Sequence, residues 1–221
     1  MKQDKSTKVD RIIQYNGLLK EEFSILLPLV IEPWKEFTLT EIKSITKKKS
    51  HHYVFEALKK FTILEVITEK KRGNTNIYAV NIENKSLDCL TTVEAVIKEK
   101  RADVPVQNIR QIMSKIKNPF YTLIVGGSYA EGKQKQSSDL DLAIIIPDSE
   151  SKKMYQTALK EGELMVPEIH GYVFTKEEFY QMLINNEFNY GKELARKHLI
   201  YYGAEQYYQI LFEAIKHGFK S

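Results

Sequence analysis

A short segment near the middle of the chain joins two apolar stretches through a turn of small residues. Residues 120–125 (FYTLIV) are apolar and rich in β-branched and aromatic side chains, which predicts a strand. Gly126, Gly127 and Ser128 follow directly and predict a turn. Residues 140–146 (LDLAIII) predict the next strand. The segment therefore predicts a strand that runs into a turn of small residues, with the next strand following at residues 140–146.

Two carboxylates mark the start of the second predicted strand. Because side chains alternate along a strand, Asp139 and Asp141 share one face, while Leu140 and Leu142 point into the core. Two acids this close repel each other, and a divalent cation offsets that repulsion; hard oxygen ligands suit Mg²⁺ or Mn²⁺. The glycines of the turn let backbone amides approach a phosphate closely, and Ser128 adds a hydroxyl. The segment predicts a site for a cation and a phosphate.

The same residues resemble the nucleotidyltransferase superfamily, whose fold is shared by DNA polymerase β and the minimal nucleotidyltransferases. The family pattern is Gly-Ser, a short helix, and then a hydrophobic-flanked Asp-x-Asp roughly ten residues on. Gly127-Ser128 and Asp139-x-Asp141 match this pattern, and residue types, spacing and strand context agree. The alternative interpretation is an exposed strand start that follows a glycine-rich turn.

One position departs from the family pattern. Many members carry a basic residue after the alanine of the short helix, whereas this chain has Glu131 after Ala130. The side chain that assists the triphosphate is therefore expected to be Lys133, or Lys135 as the alternative.

The resemblance also implies a third carboxylate on a later strand. Residues 154–165 predict a helix, and Glu168 then opens a predicted strand in which Ile169 and Val173 face the core. In the family the equivalent acid completes the metal site or takes the proton of the attacking hydroxyl. His170 lies two residues on, on the same face as Glu168, but a lone histidine is more often structural, so no role is assigned to it.

By this resemblance, the chain is expected to be an enzyme that moves a nucleoside monophosphate from an NTP to an acceptor and releases pyrophosphate. ATP is the expected NTP, and Mg²⁺ or Mn²⁺ the expected cofactor. The triphosphate would be held by Gly127, Ser128 and Lys133, and the catalytic and metal-binding residues would be Asp139, Asp141 and Glu168. A protein hydroxyl (as in toxin–antitoxin relatives), an RNA end and a small molecule all stay open as acceptors.

The N-terminal half carries the charge excess of the chain. The formal net charge is +4, and residues 105–221 are balanced, so the excess lies in residues 1–104. It is concentrated in three clusters: residues 47–49, Lys59-Lys60 and residues 70–72 (KKR). Clustered basic residues are typical of surfaces that contact nucleic acid.

These clusters fall on a pattern that resembles a winged helix-turn-helix domain. The predicted helical elements are a helix over residues 11–31, a helix through Thr46 that is capped by Thr40, and a helix over 51–61 that is capped by Ser50. The predicted strands are 37–39 and a hairpin of 63–68 and 76–80 with its turn at 69–75. The resemblance implies that residues 50–60 enter the major groove and that residues 70–72 form the wing. The expected contacts to duplex nucleic acid are Lys48, Lys59, Lys71 and Arg72. The alternative is a solvated basic face on a packing or dimerisation module.

The predicted fold class is α+β, with an N-terminal winged helix-turn-helix domain (1–104) followed by a nucleotidyltransferase domain (105–221) that has a mixed sheet and flanking helices. Residues 86–101 predict a linking helix, and Pro105 marks the expected boundary. Helices are also predicted at 106–117, 176–186, 191–201 and 204–216. A rival interpretation is a DNA-binding transcriptional regulator whose nucleotidyltransferase domain is a nucleotide sensor or a dimerisation body.

Cysteine content and hydropathy indicate the expected compartment. Cys89 is the one cysteine, so no intramolecular disulfide forms and a cytoplasmic protein is expected. Residues 25–31 form the longest apolar run near the N-terminus and are too few to span a bilayer. The first residues, MKQDKSTK, contain no apolar stretch, so neither a signal peptide nor a membrane partner is expected.

Overall fold

The computed structural model describes residues 20–83 and 86–220. The chain divides into two compact units, with the division between Asn81 and Ile82. Of the first predicted helix, residues 11–19 lie outside the described residues, and the description begins at Lys20.

The first unit contains short helices followed by a three-stranded sheet. Its elements are α1 (Lys20–Phe23), a 3₁₀ turn (Ser24–Leu26), α2 (Leu27–Ile31), β1 (Phe37–Thr38), α3 (Leu39–Ile45), α4 (His51–Ile63), β2 (Ile67–Arg72) and β3 (Thr75–Val80). The strands lie in the order β1-β3-β2 and both pairings are antiparallel. Helix α4 buries Val54, Leu58 and Phe61 on one face, as its sequence period predicts.

Local capping explains where the helices of this unit begin. Ser50 caps α4, as predicted, because its side chain accepts a hydrogen bond from the N–H of Tyr53 at 3.1 Å. The prediction that Thr40 caps α3 is wrong. Thr38 is the cap, because it and Glu41 bond reciprocally in a capping box.

The hairpin turn is tighter than predicted. Strand β2 continues to Arg72, which pairs with Thr75, so Gly73 and Asn74 alone form the turn. Gly73 has φ +60°, a conformation that glycine adopts readily. The basic residues predicted for the turn, Lys71 and Arg72 among them, therefore lie on a strand, where alternation sends consecutive side chains to opposite faces.

The second unit is a mixed sheet with helices around it. Its elements are α5 (Leu87–Glu99), α6 (Val106–Lys115), β4 (Thr122–Val125), α7 (Gly127–Glu131), β5 (Leu140–Ile146), α8 (Lys152–Lys160), a 3₁₀ turn (Glu161–Leu164), β6 (Ile169–Thr175), α9 (Lys176–Ile184), α10 (Tyr190–Arg196), β7 (Leu199–Tyr202) and α11 (Ala204–Lys216). Strand order is β6-β5-β4-β7; β5 and β6 are parallel, and the other two pairings are antiparallel.

The two faces of this sheet are covered by different helices. One face packs against Ile109 and Ile112 of α6 and against Tyr155 and Leu159 of α8. Helices α9 and α11 contact β5 and β4 respectively, and both helices have buried apolar side chains. The central strands β4 and β5 are buried along their length except at Asp141, so their sequences are continuous apolar runs. A mixed α+β fold is thus confirmed for this part of the chain.

Two predictions about this unit differ from the structure. The helix predicted as a linker is α5, which packs on β7 and α11 and so belongs to the second compact unit, ahead of the expected boundary at Pro105. The helix predicted over 191–201 is wrong after Arg196. Residues 199–202 (LIYY) instead pair with β4, because Leu199 and Ile200 are buried in the sheet there.

None of the helices in the described part of the chain combines the length and apolar composition needed to cross a bilayer. Cys89 is a free, buried thiol on α5, and burial raises its pKa to about 11.

Candidate active site

The Gly-Gly-Ser segment forms the start of α7, with Gly126 as the N-cap after β4, and it lies directly against Asp141. Gly127 has φ +57°, and a methyl group at its Cα would overlap Oδ2 of Asp141. The N–H of Gly126 donates to the backbone carbonyl of Asp141 at 3.0 Å. Glycine is therefore required at position 127 both for the backbone conformation and for the approach of the Asp141 carboxylate.

Three polar side chains converge at the start of β5 and β6: the two predicted acids Asp139 and Glu168, and the neighbouring His170. Asp139, Glu168 and His170 each place one ligand atom within 4.8 Å of the others. Nε2 of His170 lies 3.5 Å from Oε1 of Glu168 and 3.8 Å from Oδ2 of Asp139. The exposed fraction of the side chain is 46% for Asp139, 51% for Glu168 and 45% for His170, so the cluster is open to solvent.

Strand register explains why these residues meet. Strands β5 and β6 are parallel, with Asp141 opposite His170, and the N–H of Leu140 donates to the carbonyl of Glu168 at 2.8 Å. Residues two apart along a strand share a face, so Asp139 lies on the same face as Asp141, and Glu168 lies on the same face as His170. Ile169 and Val173 are buried on the opposite face, as the sequence predicts.

Asp141 differs from the other acids because it is half-buried. Burial raises the pKa of its carboxyl group, His170 acts in the opposite direction, and the charges of Asp139 and Glu193 raise it further. Its carboxylate lies against Gly127 and is not among the three side chains of the cluster. The negative charge of Asp141 is therefore more costly than at an exposed position, and a bound cation would offset that cost.

The donor set fits a divalent cation. Carboxylate oxygens are the ligands that Mg²⁺ and Mn²⁺ prefer, and an imidazole nitrogen is better suited to Mn²⁺ and later transition metals than to Mg²⁺. Asp139, Glu168 and His170 would hold the ion, with Asp141 adjacent.

Lys133, predicted to assist the triphosphate, is held at the end of α7. Its Nζ lies 3.1 Å from Oε1 of Glu131, and its N–H donates to the carbonyl of Ser128 at 3.0 Å. Lys197 pairs with the same Glu131 oxygen at 3.0 Å. The hydrogen bonds and charges of Lys197 and Lys133 lower the pKa of Glu131. The position that departs from the family pattern is thus the centre of a local ion-pair cluster.

The four residues predicted to bind nucleic acid all lie in the first unit. Lys59 is exposed on α4, and Lys71 is exposed on β2. Nζ of Lys48 lies 5.5 Å from the ring centroid of Tyr53, and Arg72 pairs with Glu36 at 2.8 Å. Among the described residues, neither Lys59 nor Lys71 has an ion pair or a cation–π contact of this kind.

Comparison with known proteins gives one family match, and it covers the segment that contains the site. Residues 106–194 match a family model described as a nucleotidyltransferase domain. The match begins at the first residue of α6, ends within α10, and includes the Gly-Ser turn and all three predicted acids. No curated protein and no solved structure matches the chain. The match supports the nucleotidyltransferase superfamily for this part of the chain, and with it a transferase whose substrate is a nucleoside triphosphate.

Two residues near this site have no role predicted from the sequence. His170 joins the cluster of acids, and the signal for it was its spacing of two residues from Glu168 on one strand. Tyr190 lies over the turn at Gly126, brought there by α10, and no local pattern around residue 190 marks that position.

Proposed function

We propose that the protein is a metal-dependent nucleotidyltransferase that moves a nucleoside monophosphate from an NTP, with ATP as the expected donor, to an acceptor hydroxyl. The observation that supports this most strongly is the convergence of Asp139, Glu168 and His170 beside Asp141, within the segment that matches the family model. An acidic cluster open to solvent and next to a glycine turn suits a triphosphate and its cation.

The proposal gives each residue of the site a task, and two alternative tasks to Glu168. Asp139, Asp141 and Glu168 would hold the divalent cation, with His170 as a further ligand beside Asp139 and Glu168, and the bound cation would neutralise charge on the phosphates. Gly127 and Ser128 bind the β- and γ-phosphates, with Lys133 beside them. The acceptor oxygen forms a bond to the α-phosphorus, and the bond to the pyrophosphate breaks. Glu168 either completes the metal site or, as the base, takes the proton of the acceptor hydroxyl; its side chain is half-exposed and so open to an incoming substrate.

The test is transfer of label from NTPs that carry it on the α-phosphate. The protein is incubated with each NTP, Mg²⁺ or Mn²⁺, and either cell lysate or purified RNA, and the labelled product is identified. The variant with Asp139→Asn and Asp141→Asn should transfer nothing yet remain folded, because it removes two repelling charges. Asp148→Asn is the matched control, since Asp148 is an exposed acid at the other end of β5. Wild-type activity in the double variant would refute the assignment.

We also propose that the first unit contacts duplex nucleic acid as a winged helix-turn-helix domain. The support is the element order of helices, short strand, α3, α4 and hairpin, with exposed Lys59 on α4 and exposed Lys71 on β2. In a mobility-shift titration of the full chain with DNA or RNA duplexes, affinity should fall steeply with salt. Binding that is absent, or insensitive to salt, would instead favour a packing or dimerisation role.

A further inference from the structure

The hydroxyl of Tyr190, the first residue of α10, has an unusual position. It is buried from solvent and forms no hydrogen bond with any described residue. A phenolic hydroxyl usually finds a partner when it is buried, because leaving water without one is costly. A buried group that lacks a partner in the free protein is a candidate for a contact formed only when the site is loaded.

Neighbouring groups fix the direction of this hydroxyl. The Tyr190 ring contacts Tyr172 at a centroid distance of 4.7 Å and Phe174 at 6.1 Å, both on β6. A methyl group at Gly126 would lie 3.3 Å from the hydroxyl and 3.8 Å from Cβ of Asp141. The aromatic side chains therefore hold the ring, and its hydroxyl lies over the turn beside Asp141.

Asp141 is the one predicted ion ligand that lies outside the cluster formed by Asp139, Glu168 and His170. One oxygen of its carboxylate, Oδ2, lies against Gly127, and a rotation of the carboxylate would bring it toward a cation held by Asp139. A hydrogen-bond donor next to the Asp141 carboxylate would hold it in the orientation that binds the cation.

We propose that Tyr190 is a positioning residue whose hydroxyl donates a hydrogen bond to the Asp141 carboxylate when Asp141 turns to bind the divalent cation. This inference rests on the proposed function, because it assumes that the acids hold a cation. Carboxylates that bind metals are themselves commonly hydrogen-bonded by a neighbouring group, and loss of that group weakens metal binding. On this proposal, the Tyr190 hydroxyl has no acceptor in the metal-free protein because the Asp141 carboxylate comes within reach only when the cation binds.

The test is Tyr190→Phe, which removes one oxygen and keeps the ring. Mn²⁺ affinity is measured by calorimetry on the full chain without nucleotide, and thermal stability is measured without metal. We expect Mn²⁺ affinity to fall about 10-fold or more, while the melting temperature of the metal-free protein is unchanged or higher, because no hydrogen bond is lost. Tyr201→Phe is the matched control, since Tyr201 also has a buried hydroxyl without a hydrogen-bond partner among the described residues, but lies on β7.

The outcomes separate this inference from the proposed function. If Asp139→Asn abolishes Mn²⁺ binding and Tyr190→Phe leaves it unchanged, the cation site stands and the role of Tyr190 is refuted. If Tyr190→Phe lowers the melting temperature of the metal-free protein, the hydroxyl is structural and the inference also fails. If the wild-type protein binds no divalent cation, the proposed function and this inference fail together.

Discussion

Removing the charge of Glu94 should destabilise the protein, and more at low pH than at high pH. Glu94 on α5 and His198, after α10, are both buried, and Nε2 of His198 lies 3.3 Å from Oε1 of Glu94. Nδ1 of His198 lies 2.9 Å from the carbonyl of Leu194, and the hydroxyl of Tyr208 donates to Glu94 at 2.7 Å. Both ring nitrogens face acceptors, so the protonated imidazolium satisfies both.

The sign of the pH dependence follows from the pKa of His198. Burial by itself lowers that pKa, but the hydrogen bond and charge of Glu94, with the carbonyls of Leu194 and Ala195, raise it above 6.5 overall. A raised pKa means that the folded state binds the proton more tightly. The contribution to stability is therefore complete below pH 6.5 and is lost as pH rises through the folded-state pKa.

Glu94→Gln keeps the volume of the side chain and removes its charge. Loss of one partner of a buried ion pair costs about 3 kcal/mol or more, and in a unit of this size that lowers the melting temperature by roughly 6–12 °C. Calorimetry of wild type and variant at pH 6 and pH 9 measures the difference, which should be larger at pH 6. Tyr208→Phe is the control, with a cost of about 1.5–3 kcal/mol that is the same at both pH values. A cost of Glu94→Gln below about 1 kcal/mol, or one independent of pH, would refute the buried charge pair.

Three further predictions concern the site and the first unit. Gly127→Ala should cost about 1–3 kcal/mol in the free energy of unfolding and weaken NTP binding, because the new methyl group meets the Asp141 carboxylate; urea unfolding and NTP titration measure both, and unchanged values would contradict the assignment. Glu168→Gln should lower turnover far more than NTP affinity, and the reverse result would make Glu168 a nucleotide-docking residue. Lys59→Ala and Lys71→Ala should each reduce the salt slope of duplex binding by about one, and an unchanged slope would place the duplex elsewhere.

Local signals in the sequence predicted several elements of each unit. Strand β5 has the predicted bounds, residues 140–146, because an apolar run between polar residues admits one buried strand. Helix α11 also has its predicted bounds, residues 204–216, since glycine precedes it and its apolar side chains recur at helical spacing. The cap of α4 at Ser50 was also predictable from local sequence, because a capping side chain bonds to a backbone N–H within the first turn of its own helix.

Other features depend on contacts between residues distant in sequence. Residues 199–202 read equally well as the end of a helix, and pairing with β4 decides that they form a strand. Helix α5 is amphipathic in sequence, but the sequence does not say which unit covers its apolar face. Tyr190 reaches the site only because α10 returns to the turn at Gly126, and no spacing near residue 190 encodes that return.

Glu131 illustrates how a departure from a family pattern is resolved by three-dimensional structure. A carboxylate in place of a basic residue would by itself make the end of α7 less attractive to a triphosphate. Lys133 and Lys197 both pair with it, at 3.1 and 3.0 Å, so the group of three carries one net positive charge. Lys133 is visible in the sequence two positions on, whereas Lys197 comes from the segment after α10. Lys133 and Lys197 thus place positive charge at the end of α7, the helix that begins with the Gly-Ser of the proposed phosphate site.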